Sequence, residues 1–325
     1  MNLEELREFL SVINGEDPTG IKIHLVERRE IEQNGEIVIE EDIREADISE
    51  ELAAELKEDF INVINDRFFN DEEFAMSNIS AANEVSNSAF YYDLDELPEK
   101  LHLLGDFDPW HDYPNFSFNN NDIENVKALL VTIGNQNRHF TIYKHVYPVT
   151  IIRRDRVIGL IPVGNRFEKL NENILQINTA IDFLYVNENL IVNSLKTLTN
   201  SYGYKEIVIR KAVEKIQLIQ NLNLIQNIQE LIDFVSNVKY AKRILKINPE
   251  SPVLQLARER IIQFVLDTER LRRRIRIDEE NNTIVLDTDV SKVLTIGILN
   301  DDFLKSHLTD LDYESEKKSE IHEED

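Results

Sequence analysis

Residues 127–152 read KALLVTIGNQNRHFTIYKHVYPVTII, two runs rich in β-branched and aromatic residues divided by the polar stretch Gly134-Asn135-Gln136-Asn137. Runs of that length and composition, bounded by turn residues, predict strands over Ala128–Ile133 and Phe140–Ile152. The pattern continues through Val157–Val163, Phe183–Val186 and Leu190–Ser194, with Arg153-Arg154-Asp155 and Asn187-Glu188-Asn189 as turns. Successive short strands joined by turns predict an antiparallel meander, the most β-like part of the chain.

On its N-terminal side, residues 2–13 place Leu3, Leu6, Phe9, Leu10 and Ile13 on one helical stripe that ends at Asn14-Gly15. Alternation predicts strands over Ile21–Val26 and Glu36–Glu40, with Asn34-Gly35 as a turn signal in a connection too long for a minimal hairpin. A helix is predicted over 48–68, capped by Asp47 with Glu50 at the capping-box position. Residues 70–122, with Pro98, Pro109 and Pro114, read as a loop-rich bridge. On the C-terminal side, helical spacing covers about 205–220, 222–246 and 252–274. In the last, Val253, Ala257, Ile261, Phe264, Thr268, Leu271 and Ile275 form one seam behind Ser251-Pro252. A hairpin around Asn281-Asn282 and a helix near Val290–Leu299 follow, and the Glu-, Lys- and Ser-rich end is expected to be disordered.

The expected fold is α+β: a mostly antiparallel sheet core followed by a helical segment, with a smaller acidic α+β N-terminal region. The corresponding divisions are 1–122, 123–313 and a tail over 314–325.

Composition narrows the chemistry. The chain has 325 residues and no cysteine, so it has no disulfide, thiolate nucleophile or cysteine-held metal and suits a reducing cytosol. No apolar run approaches the length of a membrane span. The start, Met1-Asn2-Leu3-Glu4-Glu5, lacks the basic and apolar regions of a secretory signal. A soluble cytoplasmic protein is therefore expected, with recruitment to the inner face of the membrane by a partner as an option.

The formal net charge is −25, which taken alone argues against a polyanionic ligand. Its distribution reverses that reading. Residues 1–150 hold 33 acidic and 11 basic side chains, whereas 151–276 hold 13 acidic and 21 basic. Such asymmetry points to different partners for the two halves.

Phosphate-cradling glycine loops and HExxH pairs are missing from the sequence. Asp106, Asp108, His111 and Asp112 lie beside Trp110 and have metal-ligand chemistry, but in a surface loop of a chain with 61 acids such a cluster also arises by chance. Asp182 and Lys196 match two parts of an Asp…(Asp/Glu)-x-Lys nuclease core that holds Mg²⁺, yet Ser194 stands where the second carboxylate belongs. A cross-strand ion pair between Asp182 and Lys196 explains them equally well. No cofactor, metal or catalytic residue is assigned.

The basic clusters carry more. Arg153, Arg154 and Arg156 occupy a turn between strands; Arg210 and Lys211 start a helix; Lys239, Lys242, Arg243 and Lys246 lie along another; Arg270, Arg272, Arg273, Arg274 and Arg276 end the seam helix and enter the hairpin. A helix dipole favours one or two cations at a C-terminus, not five. The guanidinium fork suits bidentate phosphate contacts, so these residues are the candidate surface for double-stranded DNA, through the backbone and without base readout. The apolar seam offers a surface for homo-oligomer formation or for an intramolecular core.

Three segments carry a resemblance: LNDDFLKSHLTDLDY at 299–313, SAFYYDLDELPEKL at 88–101 and the run 167–195 that contains NILQINTAIDFLYVNENLIVNSL. They resemble the KwaB family of the Kiwa anti-phage defence system. The resemblance implies a non-sequence-specific DNA-binding effector that works with a KwaA-like multi-spanning membrane protein and restrains phage DNA replication or expression. It implies no catalytic residues. The alternatives that the residues leave open are a degenerate Mg²⁺-dependent nuclease using Asp182 and Lys196, and an acidic scaffold or DNA mimic.

Overall fold

The computed structural model describes the chain except residues 16–18, 34, 82–86, 118–122, 153–159, 164–165, 170–173, 249–250, 306–311 and 315–325. The turn carrying Arg153, Arg154 and Arg156, and the tail from 315, lie outside the described residues. Two compact units divide the chain, Met1–Tyr202 and Gly203–Asp325. The fold class is mixed α+β with a mostly antiparallel sheet followed by helices, as the sequence predicts.

The first unit is built on eight strands: β1 (Gly20–Gln33), β2 (Glu36–Glu45), β3 (Ala75–Asn78), β4 (Ser88–Tyr91), β5 (Val126–Gly134), β6 (His139–His145), β11 (Phe183–Val186) and β12 (Asn189–Val192). Two small pairs, β7 (Ile151–Ile152) with β10 (Ile174–Leu175) and β8 (Leu160–Val163) with β9 (Arg166–Lys169), occupy the excursion between β6 and β11. The large sheet runs β2-β1-β5-β6-β11-β12-β4-β3. Its neighbours are antiparallel except β3 and β4. The predicted meander thus forms the centre of the sheet, and β1 joins it by pairing with β5.

Local chemistry accounts for the joints. Asn187 and Glu188 both have positive φ, 46° and 63°, the conformation of a two-residue hairpin turn whose twist matches the strands. The first hairpin is tighter than the alternation predicts, its strands pairing as far as Gln33 with Glu36. Charged residues hide this extension, because Glu and Arg interrupt the apolar alternation after Val26. Residues 70–122 are also more than a bridge, since β3 and β4 lie within them; each is only four residues long, too short for periodicity to register.

Helices α1 (Leu3–Leu10) and α2 (Glu50–Ile64) cover one face of the sheet. Leu6, Leu10, Phe60, Ile64 and Phe68 are fully buried in one cluster with Val131, Ile133, Phe140, Ile142, Leu184 and Ile191 from the strands. Burying each such side chain contributes roughly 1.5–3 kcal/mol. The cap of α2 is Ser49, whose side chain accepts the Leu52 amide at 3.2 Å, instead of the predicted Asp47. Both types cap equally well, and sequence alone does not choose between sites two residues apart. A short α3 (Leu103–Asp106) and α4 (Leu195–Ser201) complete the unit.

The second unit comprises α5 (Tyr204–Gln220), α6 (Gln229–Phe234), α7 (Val238–Leu245), α8 (Arg258–Asp267), α9 (Glu269–Arg272), the hairpin β13 (Arg276–Asp278) with β14 (Thr283–Val285), α10 (Asp289–Leu299), and β15 (Phe303–Lys305) paired with β16 (Asp312–Glu314). The hairpin is tied to the segment before α6. Asn227 both donates to and accepts from the Leu286 backbone at 2.9 Å, and the Ile284 amide donates to the Leu224 carbonyl at 2.8 Å. The predicted seam helix over 252–274 is not continuous. A 3₁₀ turn at Pro252–Gln255 gives way to extended backbone at Leu256 and Ala257, and the chain extends again at Thr268. The apolar spacing is helical on both sides of these breaks, and Ile261, Ile262, Val265, Leu271 and Ile275 are buried. The long stripe that would zip to a second copy is therefore absent.

Candidate nucleic-acid interface

The break at Thr268 places the arginines. After it, Leu271 and Ile275 are buried at 0% and 4% exposure and anchor the chain from within. Arg272, Arg273 and Arg274 fall between the two anchors and all stand in solvent; Arg276, the first residue of β13, does the same. The four line a single cleft of about 480 Å³ with Ile275, Asp287, Thr288 and Val290. Arg273 pairs with Glu269 one turn earlier, whereas Arg272, Arg274 and Arg276 form no ion pair with a described residue. Thr288 is the N-cap of α10, its hydroxyl accepting the Ser291 amide at 3.0 Å, so the positive end of an eleven-residue helix opens on the same cleft. Asp287 opposes it, but the cationic side chains outnumber it.

Arg210 and Lys211 lie in the middle of α5 and not at a helix start, and Lys239, Lys242, Arg243 and Lys246 lie on α7 or cap its end; α5 and α7 pack together. Arg210 is exposed and Lys211 half-buried, the latter 3.5 Å from Glu214. On α7, Lys239 is exposed with its ammonium over the Tyr240 ring, and Lys242 lies over the Tyr204 ring at 5.7 Å from the centroid. Arg243 and Lys246 are half-buried, and Arg270 is exposed beside Arg272 on α9. Lys215, which the sequence did not single out, donates to the Leu245 carbonyl at 2.7 Å and clasps α5 to the C-terminal end of α7; burial holds its pKa below the usual lysine value.

The structure gives Asp182 a different role from either expectation. Its carboxylate accepts the His145 amide at 2.9 Å and the Thr197 hydroxyl at 2.8 Å, and its carbonyl accepts the amides of Asn193 and Ser194. Ser194 and Thr197 share a hydrogen bond at 2.6 Å at the start of α4, where Ser194 is the N-cap. Lys196 is exposed on that helix and makes no ion pair with Asp182. Both carboxylate oxygens thus hold protein donors and lock α4 to β6. Among the described residues no three His, Asp or Glu side chains converge as a metal site, and Asp108 near Trp110 accepts the Trp110 amide instead.

Sequence reading missed a buried polar chain that begins on β1 and β6. Arg28 pairs with Glu41, and donates to the Lys100 carbonyl and to the Tyr143 hydroxyl. The Tyr202 hydroxyl donates to the Tyr143 hydroxyl at 3.0 Å and lies 3.0 Å from His145 Nδ1. Burial raises the Tyr143 and Tyr202 pKa values and lowers that of His145, against the opposing pull of Asp182. Arg28 and Tyr143, bonded directly, stand 115 positions apart in the sequence, and no local pattern marks the members of the chain.

Fold and cleft together define a two-unit α+β protein, with a sheet-based acidic unit and a helical unit that turns a group of arginines to solvent. The chain belongs to the Kiwa protein KwaB-like family, whose model matches residues 123–309. It is also similar to Kiwa protein KwaB of Escherichia coli O55:H7 (strain RM12579 / EPEC), with 25% identity over 275 residues, covering 82% of this chain and 86% of that protein. No solved structure matches it.

Proposed function

We propose that the chain acts in anti-phage defence as an effector that holds double-stranded DNA by its phosphate backbone. The observation that carries this reading is the cleft in which Arg272, Arg273, Arg274 and Arg276 converge at the N-terminal end of α10. Arg272, Arg274 and Arg276, which form no ion pair with a described residue, have guanidinium groups available for bidentate contacts to phosphate. Arg210, Lys211, Lys239, Lys242, Arg243, Lys246 and Arg270 extend the cationic surface of the same unit, and Arg153, Arg154 and Arg156 add charge outside the described residues. Contacts of this kind position a duplex without reading its bases, so binding is insensitive to sequence. The acidic unit supplies a complementary surface for the Lys- and Arg-rich cytoplasmic loops of a multi-spanning membrane partner, which would bring the protein to the inner face of the membrane.

The test is a gel-shift and cleavage assay of the full chain on two unrelated linear duplexes, with and without Mg²⁺. Equal retention of both duplexes, weakening steeply with salt and leaving them uncut, is the expected result. No retention at about 50 mM salt, where phosphate contacts are strong, would refute the reading. Mg²⁺-dependent cutting would replace it with a nuclease.

A further inference from the structure

The first hairpin outruns the sheet that carries it. Strand β1 is paired with β5 only from Gly20 to Glu27, after a bulge between Val26 and Glu27, whereas its pairing with β2 continues to Gln33. Six residues of β1 and their partners on β2 therefore project as a two-stranded ribbon, roughly 20 Å long at the rise of an extended chain. The outer edge of this ribbon is β2, which ends the sheet.

Between residues 27 and 45 the sequence holds eight acidic and three basic side chains. Arg28 pairs with Glu41, and Arg44 with Asp42 and Glu27. Glu30, Glu32 and Glu40 are exposed and form no ion pair with a described residue. Beside them Val38 and Ile39 are 40% and 36% exposed. Successive strand residues point to opposite faces, so the ribbon shows apolar surface on both sides. Acidic groups commonly protect an exposed edge from aggregation, and that alone would explain the glutamates. It does not explain an aliphatic pair left open beside them.

The molecule also shows that this edge accepts added chain. At its inner end, Glu45 pairs with Asn115 in parallel: the Glu45 amide donates to the Pro114 carbonyl at 3.1 Å and the Phe116 amide to the Glu45 carbonyl at 2.8 Å. From Val38 to Arg44, among the described residues, no strand follows on that side.

We propose that the edge of β2 from Val38 to Arg44 is a docking strand for an extended, lysine- or arginine-bearing segment of a partner protein, which adds to the sheet by main-chain hydrogen bonds. Charge selects this occupant. A second copy of β2 would set Glu40, Glu41 and Asp42 against their own kind, and like charges opposite one another destabilise a strand pair. An extended segment alternating basic and aliphatic side chains would instead set the basic ones on the face of Glu40 and Asp42 and the aliphatic ones on the opposite face, beside Ile39. This deepens the partner part of the function proposed above. The two fail separately: a chain that still binds a basic strand but is not recruited by vesicles bearing the membrane partner counts only against that reading.

The probe is a labelled nine-residue peptide of alternating lysine and valine, titrated into the full chain at about 50 mM salt, with amide hydrogen exchange followed on β2. A second peptide carries proline at two central positions, which removes donors while leaving most of the charge. The expected result is binding of the first peptide, at least tenfold weaker binding of the second, and slowed exchange between Val38 and Arg44. The combined Glu30→Lys, Glu32→Lys and Glu40→Lys variant should lose about tenfold or more in peptide affinity while its DNA retention does not fall. Equal binding of both peptides would reduce the effect to charge attraction, and no binding, or protection elsewhere in the chain, would show β2 to be only a guarded edge; each overturns the proposal.

Discussion

His24 makes the sheet unit sensitive to acid. It is fully buried on β1, edge-on to Phe107 and Tyr113 with both ring centroids 5.2 Å away. Neither of its ring nitrogens has a hydrogen-bond partner among the described residues. Burial, with the nearby positive charge of Lys22, lowers its pKa from 6.5 to about 4. A pKa depressed by folding means that the unfolded chain takes up the proton first. The stability is present in full above pH 6.5, is lost as pH falls below it, and the loss is complete below about 4. At 1.36 kcal/mol per pKa unit the full effect is about 3 kcal/mol, of which about 2 kcal/mol is gone by pH 5. The perturbation is His24→Phe, which keeps a planar ring in the aromatic cage and cannot be protonated. Urea unfolding of the full chain, followed by Trp110 fluorescence at pH 7.5 and pH 5, gives the comparison. His145 and His139 are also held below the usual histidine value by burial, so they lower stability in both proteins and cancel in the difference. The variant should lose about 2 kcal/mol less than the wild type between the two pH values. Parallel losses would refute a buried neutral His24.

Gly134→Ala places a Cβ 2.3 Å from the Arg138 carbonyl oxygen at a φ of +135°, so it should lower stability by about 2 kcal/mol or more in the same unfolding assay. Asp182→Ala leaves the His145 amide and the Thr197 hydroxyl without their acceptor, a cost of about 2–4 kcal/mol; DNA retention by the folded fraction should be unchanged, where a nuclease would lose cutting. Tyr202→Phe removes the hydroxyl that joins Tyr143 to His145 and should cost about 1–3 kcal/mol, read as a shifted urea midpoint at constant slope.

The centre of the sheet was legible because its strands alternate or run apolar between turn residues: Phe183–Val186 is read to the residue, and the hairpin around Asn281-Asn282 and the last helix stand where their spacing puts them. Elements whose cause is tertiary were not. The outer half of β1 and β2 is held by cross-strand pairing, with a sequence too charged to resemble a strand, and β3 and β4 are strands only because β12 lies beside β4. The seam over 252–274 has helical spacing throughout, yet the chain is extended at Leu256–Ala257 and Thr268, which spacing does not encode. For the candidate site, the arginine run was visible as composition, and its exposure follows from the spacing of Leu271 and Ile275. That Arg276 and the start of α10 share its cleft depends on the hairpin fold. The Arg28–Tyr143–Tyr202–His145 chain had no local signal at all.

The arginine cleft is tested most directly by the salt dependence of DNA affinity in the wild type and in the combined Arg272→Glu, Arg273→Glu and Arg274→Glu variant. Each phosphate contact contributes about 0.9 to the slope of log K against log salt. If these three side chains hold phosphates, the variant's slope should be shallower by about three, and its affinity lower by about 10²-fold or more on every duplex alike. A variant that keeps the wild-type slope and affinity would contradict the account and remove the cleft from the binding surface.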